Sequence, residues 1–381
     1  MDFSFTDEQL ALAKAIGRFA EAELNDNVSS HDQEGSFPRE AWDKCGGMGI
    51  LGLPVPEEYG GSGQGVLSTV LAMEALGHGC RDNGLIFAIN SQLWSCVIPI
   101  LHFGSPAQKE RYLPRLCRGE LIGGHAATEP NAGSDVFSMK SRATKRDARY
   151  VLNGSKTFIT NAPIADVMIV FAITDEAKSH LGLSAFVVER DTPGLVVGRN
   201  IERMGLRTAM VGELSFDECE LPAESLLGRE GAGAAIFNSE MGWERCCLFA
   251  CHLGAMQRQL ETCVRYAKDR RQFGQPIGKF QSVANRIADM ETRIELSRLI
   301  LHKTAWLREQ GKPSTLELAL AKLFVSEAYV QTCLDAVQIH GAYGYSREYE
   351  IERDLRDSIA STIYSGTSEM QRNTIARMLG L

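Results

Sequence analysis

At 381 residues, with 44% hydrophobic and 23% charged side chains, the chain has the composition of a globular protein large enough for two or three structural units. Its formal net charge of -8 argues against a nucleic-acid binder, which needs a basic face to neutralise phosphates. Ten cysteines without a Cys-x-x-Cys pair, and eight histidines without ligand-like spacing, predict free thiols, a cytoplasmic setting and no metal site. No signal-peptide pattern opens the chain, and no apolar run is expected to reach the roughly 18 residues of a membrane span.

In chain order the pattern changes twice, predicting an α+β protein in three parts: 1–120, 121–229 and 230–381. In the first part apolar residues recur at helical spacing, as at Leu10, Ala13, Ile16, Phe19 and Ala20. Thr6 with Gln9 three residues later reads as a capping box opening the first helix. Glycine-rich turns follow at Cys45-Gly46-Gly47 and at Pro56 to Gly63. In the second part, Met168 to Ile173, Leu183 to Val188 and Glu213 to Phe216 read as short strands between Asn, Asp, Pro and Gly turns. In the third part helices return, with long stretches free of proline.

The helix beginning near Ala235 carries a conspicuous carboxylate. Steps of four and three residues link Phe237, Met241, Glu244, Leu248, Cys251 and Ala255, which puts Glu244 on the apolar stripe. An isolated glutamate there costs several kcal/mol unless paired or protonated. It is therefore either a working acid or base, or half of a buried ion pair. The residues alone leave both open.

Two distant segments carry the strongest signal: Ala127-Thr128-Glu129-Pro130-Asn131-Ala132-Gly133-Ser134-Asp135 with Lys156-Thr157-Phe158-Ile159-Thr160-Asn161, and Ile363-Tyr364-Ser365-Gly366-Thr367-Ser368-Glu369 near the end. Together with Tyr266 to Gly274, Phe280-Gln281 and Gln338 to Tyr345, they resemble segments of the acyl-CoA dehydrogenase family over the whole chain. The resemblance implies a helical N-terminal domain, a middle β-domain and a C-terminal four-helix bundle, assembled as a homotetramer around FAD. It implies that Thr128, Gly133 and Ser134 hold the flavin's pyrimidine edge and phosphates, that Phe158 stacks near the isoalloxazine, and that the Thr160 hydroxyl points toward N5. The family more often has tryptophan at the Phe158 position. Arg270, Phe273 and Gln281 would close over the adenosine side of a neighbouring subunit's FAD, with Gln338 and the small Gly341 beside it. The family usually has a second glycine where Ala342 stands. Thr367 would reach the diphosphate region.

Oxidising an acyl thioester between Cα and Cβ requires a base for the α-proton and fixed donors for the developing enolate charge. The tail loop has Ser365 where many members keep a catalytic glutamate. Branched-chain-type and long-chain-type members carry the base on another helix, in a Glu-Arg context like Glu244-Arg245. The resemblance thus implies Glu244 as base and the Ser365 N–H as donor to the thioester carbonyl, with Arg245, Ser365 and Trp243 on the substrate side. Glu369 is expected to cap the last helix instead. Three stretches (Glu74 to Leu85, Asn161 to Asp166, and Gly231 to Phe237) resemble the prolyl-carrier-protein dehydrogenases of biosynthetic clusters. Trp243, Trp94 and Phe87 are candidates for shaping a short pocket. The expected function is dehydrogenation of an aminoacyl group, such as L-prolyl, on a phosphopantetheinyl carrier protein. Two alternatives are a free short- or branched-chain acyl-CoA as substrate, and a non-catalytic flavin-fold scaffold.

Overall fold

The computed structural model describes residues 4–381; the opening Met1 to Phe3 lies outside them. Seven helices come first: α1 (Asp7–Glu23), α2 (Val28–Glu34), α3 (Arg39–Gly47), α4 (Val66–Gly79), α5 (Asn83–Gln92), α6 (Ile98–Phe103) and α7 (Pro106–Cys117). The capping box opening α1 forms as expected: the Thr6 hydroxyl accepts from Gln9 N–H, and the Gln9 side chain returns to Thr6 N–H.

Helices α5 and α6 are joined by a π-helical turn over Leu93–Val97, making one continuous rod from Asn83 to Phe103. Its mean hydropathy reaches 1.6 over 18 residues, so the expectation that no run is long and apolar enough to span a membrane is corrected. Protein, not lipid, surrounds it, since 83% of that window is buried. A π-turn wedges one extra residue into the helix and rotates the next turn relative to the last, a frequent feature near functional sites.

The middle of the chain forms one sheet from β1 (Gly123–Ala126), β2 (Arg142–Arg146), β3 (Arg149–Thr160), β4 (Val167–Ile173), β5 (Leu183–Glu189), β6 (Leu195–Val197), β7 (Val211–Pro222) and β8 (Leu226–Leu227). The spatial order is β6-β7-β3-β2-β4-β5-β8, with β1 parallel to β4. The near-continuous apolar run of β4 reflects burial on both faces. Two register shifts interrupt β3, the second between Lys156 and Ile159, where Phe158 has φ 55°. That irregularity breaks the in-out alternation and turns a large apolar ring outward, leaving Phe158 62% exposed.

The C-terminal helices are α8 (Gly233–Asp269), α9 (Gln281–Glu309), α10 (Thr315–His340), α11 (Ala342–Tyr345), α12 (Ile351–Ile359) and α13 (Ser368–Met378), with a small hairpin of β9 (Arg271–Gln272) and β10 (Gln275–Pro276) between α8 and α9. Helix α8 is the spine. It packs on α4, α9 and α10, and its Phe249, Leu253 and Met256 join α4 and α5 in one continuous core. Close contact with α4 depends on Gly77 and Gly254, where a methyl group would fall about 2.0 Å from the facing helix's backbone oxygen. The sheet, the α5–α6 rod and α8 meet at one place, and the cleft lies there.

Candidate active site

The cleft, together with its open mouth, spans about 500 Å³ of empty space. One wall comes from the sheet: His125 on β1, Thr128 just after it, and Phe158, Ile159 and Thr160 at the end of β3. The other comes from helices and the tail: Phe87, Ser91 and Ser95 from the α5–α6 rod, Glu244 and Leu248 from α8, and Tyr364.

A buried ion pair fixes the sheet wall. Lys156 Nζ lies 2.9 Å from Glu129 Oε1 and 3.1 Å from the Ala127 carbonyl. Glu129 also accepts from the backbone N–H groups of Lys140 and Ser141, at 2.6 and 2.9 Å. Burial pushes Lys156 down to about 8, against the pull of Glu129. Burial would raise Glu129, but these donors outweigh it and lower its pKa. The backbone N–H of Thr157 completes the staple by donating to the Thr128 carbonyl at 3.0 Å. Thr128 and Thr160 line the cleft together with the outward Phe158 ring. Neither threonine hydroxyl has a hydrogen-bond partner among the described residues.

The opposite wall centres on Glu244. Ser95 Oγ donates to its Oε2 at 2.9 Å, and the Ser365 hydroxyl donates to Oε1. Arg245 does not touch the carboxylate. Its Nε donates to the Ser365 carbonyl at 2.9 Å, clamping the tail loop that supplies Ser365. Gln371 adds bonds from Nε2 to the carbonyls of Ser365 (3.3 Å) and Gly366 (2.9 Å). Burial lowers the Arg245 pKa, and the neighbouring Glu244 charge opposes the shift. Ser365 has φ 58°, an uncommon value for a non-glycine residue and one that marks a constrained, often functional, position. Its N–H has no partner among the described residues. Tyr364 stacks on Phe87 at 4.7 Å, and its hydroxyl lies 2.6 Å from His252 Nε2.

The structure therefore lines one cleft with Thr128, Phe158, Thr160 and Glu244; Ser365 adjoins it through its hydrogen bond to Glu244, with Arg245 behind. Trp243 is not among the lining residues. It stacks on the fully buried Trp94 at 5.8 Å and lies under the Arg308 guanidinium, so it supports α8 rather than shaping the pocket. Of the three aromatics considered for the pocket, Phe87 alone lines the cleft.

Gly133 and Ser134 lie exposed further along the loop from Thr128. A second, solvent-facing cluster forms where α8 and α10 end. Tyr266 stacks on His340 at 4.2 Å, Arg270 lies over Tyr343, and Gln338, Gly341 and Gln281 are exposed. Phe273 is 94% exposed with φ 50°, beside Phe280. Within one chain this cluster is not part of the cleft. Thr367 caps α13, its hydroxyl accepting from Met370 N–H at 3.3 Å. Glu369 stands exposed in the first turn after that cap and outside the cleft, and its own N–H and the Thr367 hydroxyl lower its pKa.

Sequence reasoning passed over a buried pair beside Glu244. Glu240, one turn earlier on α8, is fully buried, and its Oε1 lies 2.6 Å from His125 Nε2. The contact is a close, charge-assisted pairing of the two side chains. Burial raises Glu240 to about 7, His125 opposing and Glu244 reinforcing the shift. For His125, burial is outweighed by Glu240 and its pKa is raised. The four-residue step from Glu240 to Glu244 was the available signal.

The cleft fits a flat aromatic cofactor on the sheet side: an exposed ring with two free hydroxyls faces a carboxylate across an open gap. Comparison with known proteins agrees. Family models of the acyl-CoA dehydrogenase N-terminal, middle and C-terminal domains match residues 6–120, 124–219 and 231–380. The L-prolyl-[peptidyl-carrier protein] dehydrogenase of Pseudomonas fluorescens is 45% identical over 382 residues, covering 100% of both chains. The crystal structure of the prolyl acyl carrier protein oxidase AnaB has a TM-score of 0.97 at 49% identity, covering 99% of this chain and 100% of its own. PigA with FAD and proline has a TM-score of 0.98 at 43% identity, covering 100% of both.

Proposed function

The chain belongs to the acyl-CoA dehydrogenase family, and from that premise we propose that it uses FAD to dehydrogenate an aminoacyl thioester, such as L-prolyl, tethered to a phosphopantetheinyl carrier protein. One observation carries the reading. The Glu244 carboxylate is oriented by two serine hydroxyls, across the cleft from Phe158, Thr128 and Thr160. FAD, when bound, supplies the acceptor for the β-hydride.

The protein's own groups do the rest. Glu244 removes the α-proton; both oxygens already accept hydrogen bonds, so its orientation is set before substrate arrives. The Ser365 N–H, turned out of the helical ladder by its left-handed backbone, donates to the thioester carbonyl as enolate charge develops. Arg245 and Gln371 hold that loop without drawing on the reacting atoms. Phe158 provides the stacking face for the flavin, and Thr128 and Thr160 provide its donors, with Gly133, Ser134 and Thr367 along the phosphates. Arg270, Phe273, Gln281, Gln338 and Gly341 serve the adenosine end of FAD in a neighbouring subunit. Their distance from this chain's cleft and the 94% exposure of Phe273 support a homo-oligomer, a tetramer by family likeness. Ten unpaired, buried cysteines support a cytoplasmic setting.

Anaerobic bleaching of the bound flavin tests this reading, using prolyl and other short acyl groups on a holo carrier protein against the same groups on CoA. Rapid bleaching by the prolyl carrier conjugate alone is the expected result. Bleaching by isovaleryl- or butyryl-CoA with inert carrier conjugates would move the enzyme to ordinary acyl-CoA chemistry.

A further inference from the structure

One buried pair has no part in the dehydrogenation chemistry of Glu244 and Ser365. Glu240 is fully enclosed, where a carboxylate without a partner would cost several kcal/mol. His125 turns Nε2 toward it at 2.6 Å. That nitrogen is sealed from solvent, so the 16% of the His125 side chain that remains exposed lies elsewhere on the residue, which lines the cleft. Nδ1 has no hydrogen-bond partner among the described residues. The ring is held edge-on by Phe171 at 5.2 Å and flanked by Phe237 at 6.1 Å. A histidine steadied by a sealed carboxylate, with its free edge on a reaction cleft, is arranged as a proton acceptor.

We propose that His125, backed by Glu240, is the subsite for the amino nitrogen of an α-amino acyl thioester, and that it takes one proton from that nitrogen when it arrives as an ammonium. This assignment rests on the aminoacyl reading and deepens it.

The step moves one proton and no electrons. The N–H bond of the ammonium breaks, an N–H bond forms at Nδ1, and the resulting imidazolium faces the Glu240 carboxylate. The reaction needs such a group. Once the Cα–Cβ double bond forms, a neutral nitrogen on Cα donates its lone pair into the new alkene, whereas an ammonium cannot. Glu244 is already committed to the α-proton, and it lies one helical turn from Glu240, so the two carboxylates serve adjacent atoms of the same small acyl group. The charges facing His125 are Glu240 and Glu244 from α8 and Lys156 from β3. The two carboxylates favour the imidazolium and Lys156 opposes it, as does burial of the ring.

The test measures recognition apart from turnover. Carrier protein is loaded with prolyl or cyclopentanecarbonyl groups through an amide in place of the thioester. The two rings have nearly the same shape and differ at the nitrogen. Binding to FAD-loaded enzyme is measured by calorimetry for wild type, His125→Phe and Glu240→Gln. Wild type is expected to prefer the prolyl conjugate, and the preference should fall by on the order of tenfold to a hundredfold in both variants. Bound flavin content verifies that each variant is folded, and the pH dependence of the preference should flatten in Glu240→Gln.

A wild type without preference would overturn the assignment. So would an unchanged ratio in both variants, which would make the pair merely structural. Failure of the aminoacyl reading gives a different signature: prolyl thioester on the carrier would leave the flavin of the wild type unbleached, whatever the amides do.

Discussion

Replacing Glu244 by Gln changes one atom and very little shape, which makes it the sharpest probe of the site. The carboxylate accepts from Ser95 at 2.9 Å and from Ser365. The amide keeps one accepting oxygen and presents an NH2 to the other serine, whose hydroxyl rotates to accept instead. At most one hydrogen bond weakens, a local effect of about 1 kcal/mol. Arg245 and Gln371 hold the tail loop through backbone carbonyls, so the loop stays in place. The loss of a base acts on another scale. General-base catalysis is worth roughly 10² to 10⁴ in rate, or about 2.7 to 5.4 kcal/mol at 1.36 kcal/mol per decade. Stopped-flow bleaching under anaerobic conditions, with flavin occupancy matched from absorbance, should fall by that factor in Glu244→Gln. The unfolding midpoint should barely move. Bleaching within about threefold of wild type would refute the assignment of Glu244 as base, because no chemistry requiring a carboxylate survives its removal at that level.

The two serines divide one task. Ser365→Ala and Ser95→Ala should each slow bleaching by roughly tenfold, and the double variant should lose less than the product of the two, because one carboxylate orientation is at stake. Phe158→Ala should weaken FAD binding about threefold to tenfold by fluorescence titration, the range of an aromatic pair, with no loss of stability from a ring that is 62% exposed. Burial, with Lys322 adding to it, pushes His252 down to about 3, well under the 6.5 of an exposed imidazole. As pH falls below 6.5 the unfolded chain binds a proton that the folded chain refuses, so this contribution to stability is complete above 6.5 and declines at about 1.4 kcal/mol per unit below it. His252→Gln should therefore show a shallower loss of urea stability from pH 6.5 to 4.5 than wild type, and equal slopes would contradict the neutral state of His252.

Glu244 was legible because helical periodicity is a property of the chain itself: steps of three and four residues put it on the buried stripe of α8 before any neighbour was known. Glu240 obeyed the same geometry, but its partner His125 sits on a four-residue strand more than a hundred residues away, and no local pattern joins them. The outward turn of Phe158 depends on a register shift in β3, a property of strand pairing that a single strand does not encode. Trp243 shows the opposite error. Being next to Glu244 in sequence suggested the pocket, yet one residue is 100° around a helix, and that rotation carries it onto Trp94.

The α5–α6 rod shows why average hydropathy misleads in both directions. By its mean value it passes for a membrane span, and by inspection its polar residues read as interruptions. Those residues do the joining. Asn90 donates from Nδ2 to Cys251 Sγ on α8 at 3.5 Å, and Gln92 accepts from Gly123 N–H at 2.7 Å while donating to the Leu116 carbonyl. Ser95, inside the π-turn, reaches Glu244. In hydrocarbon these groups would lack the partners supplied here by the sheet and by α8. The polar atoms that spoil the apolar run are the ones that anchor the rod to the sheet and to the base, so their positions follow from the cleft and not from any need for solubility.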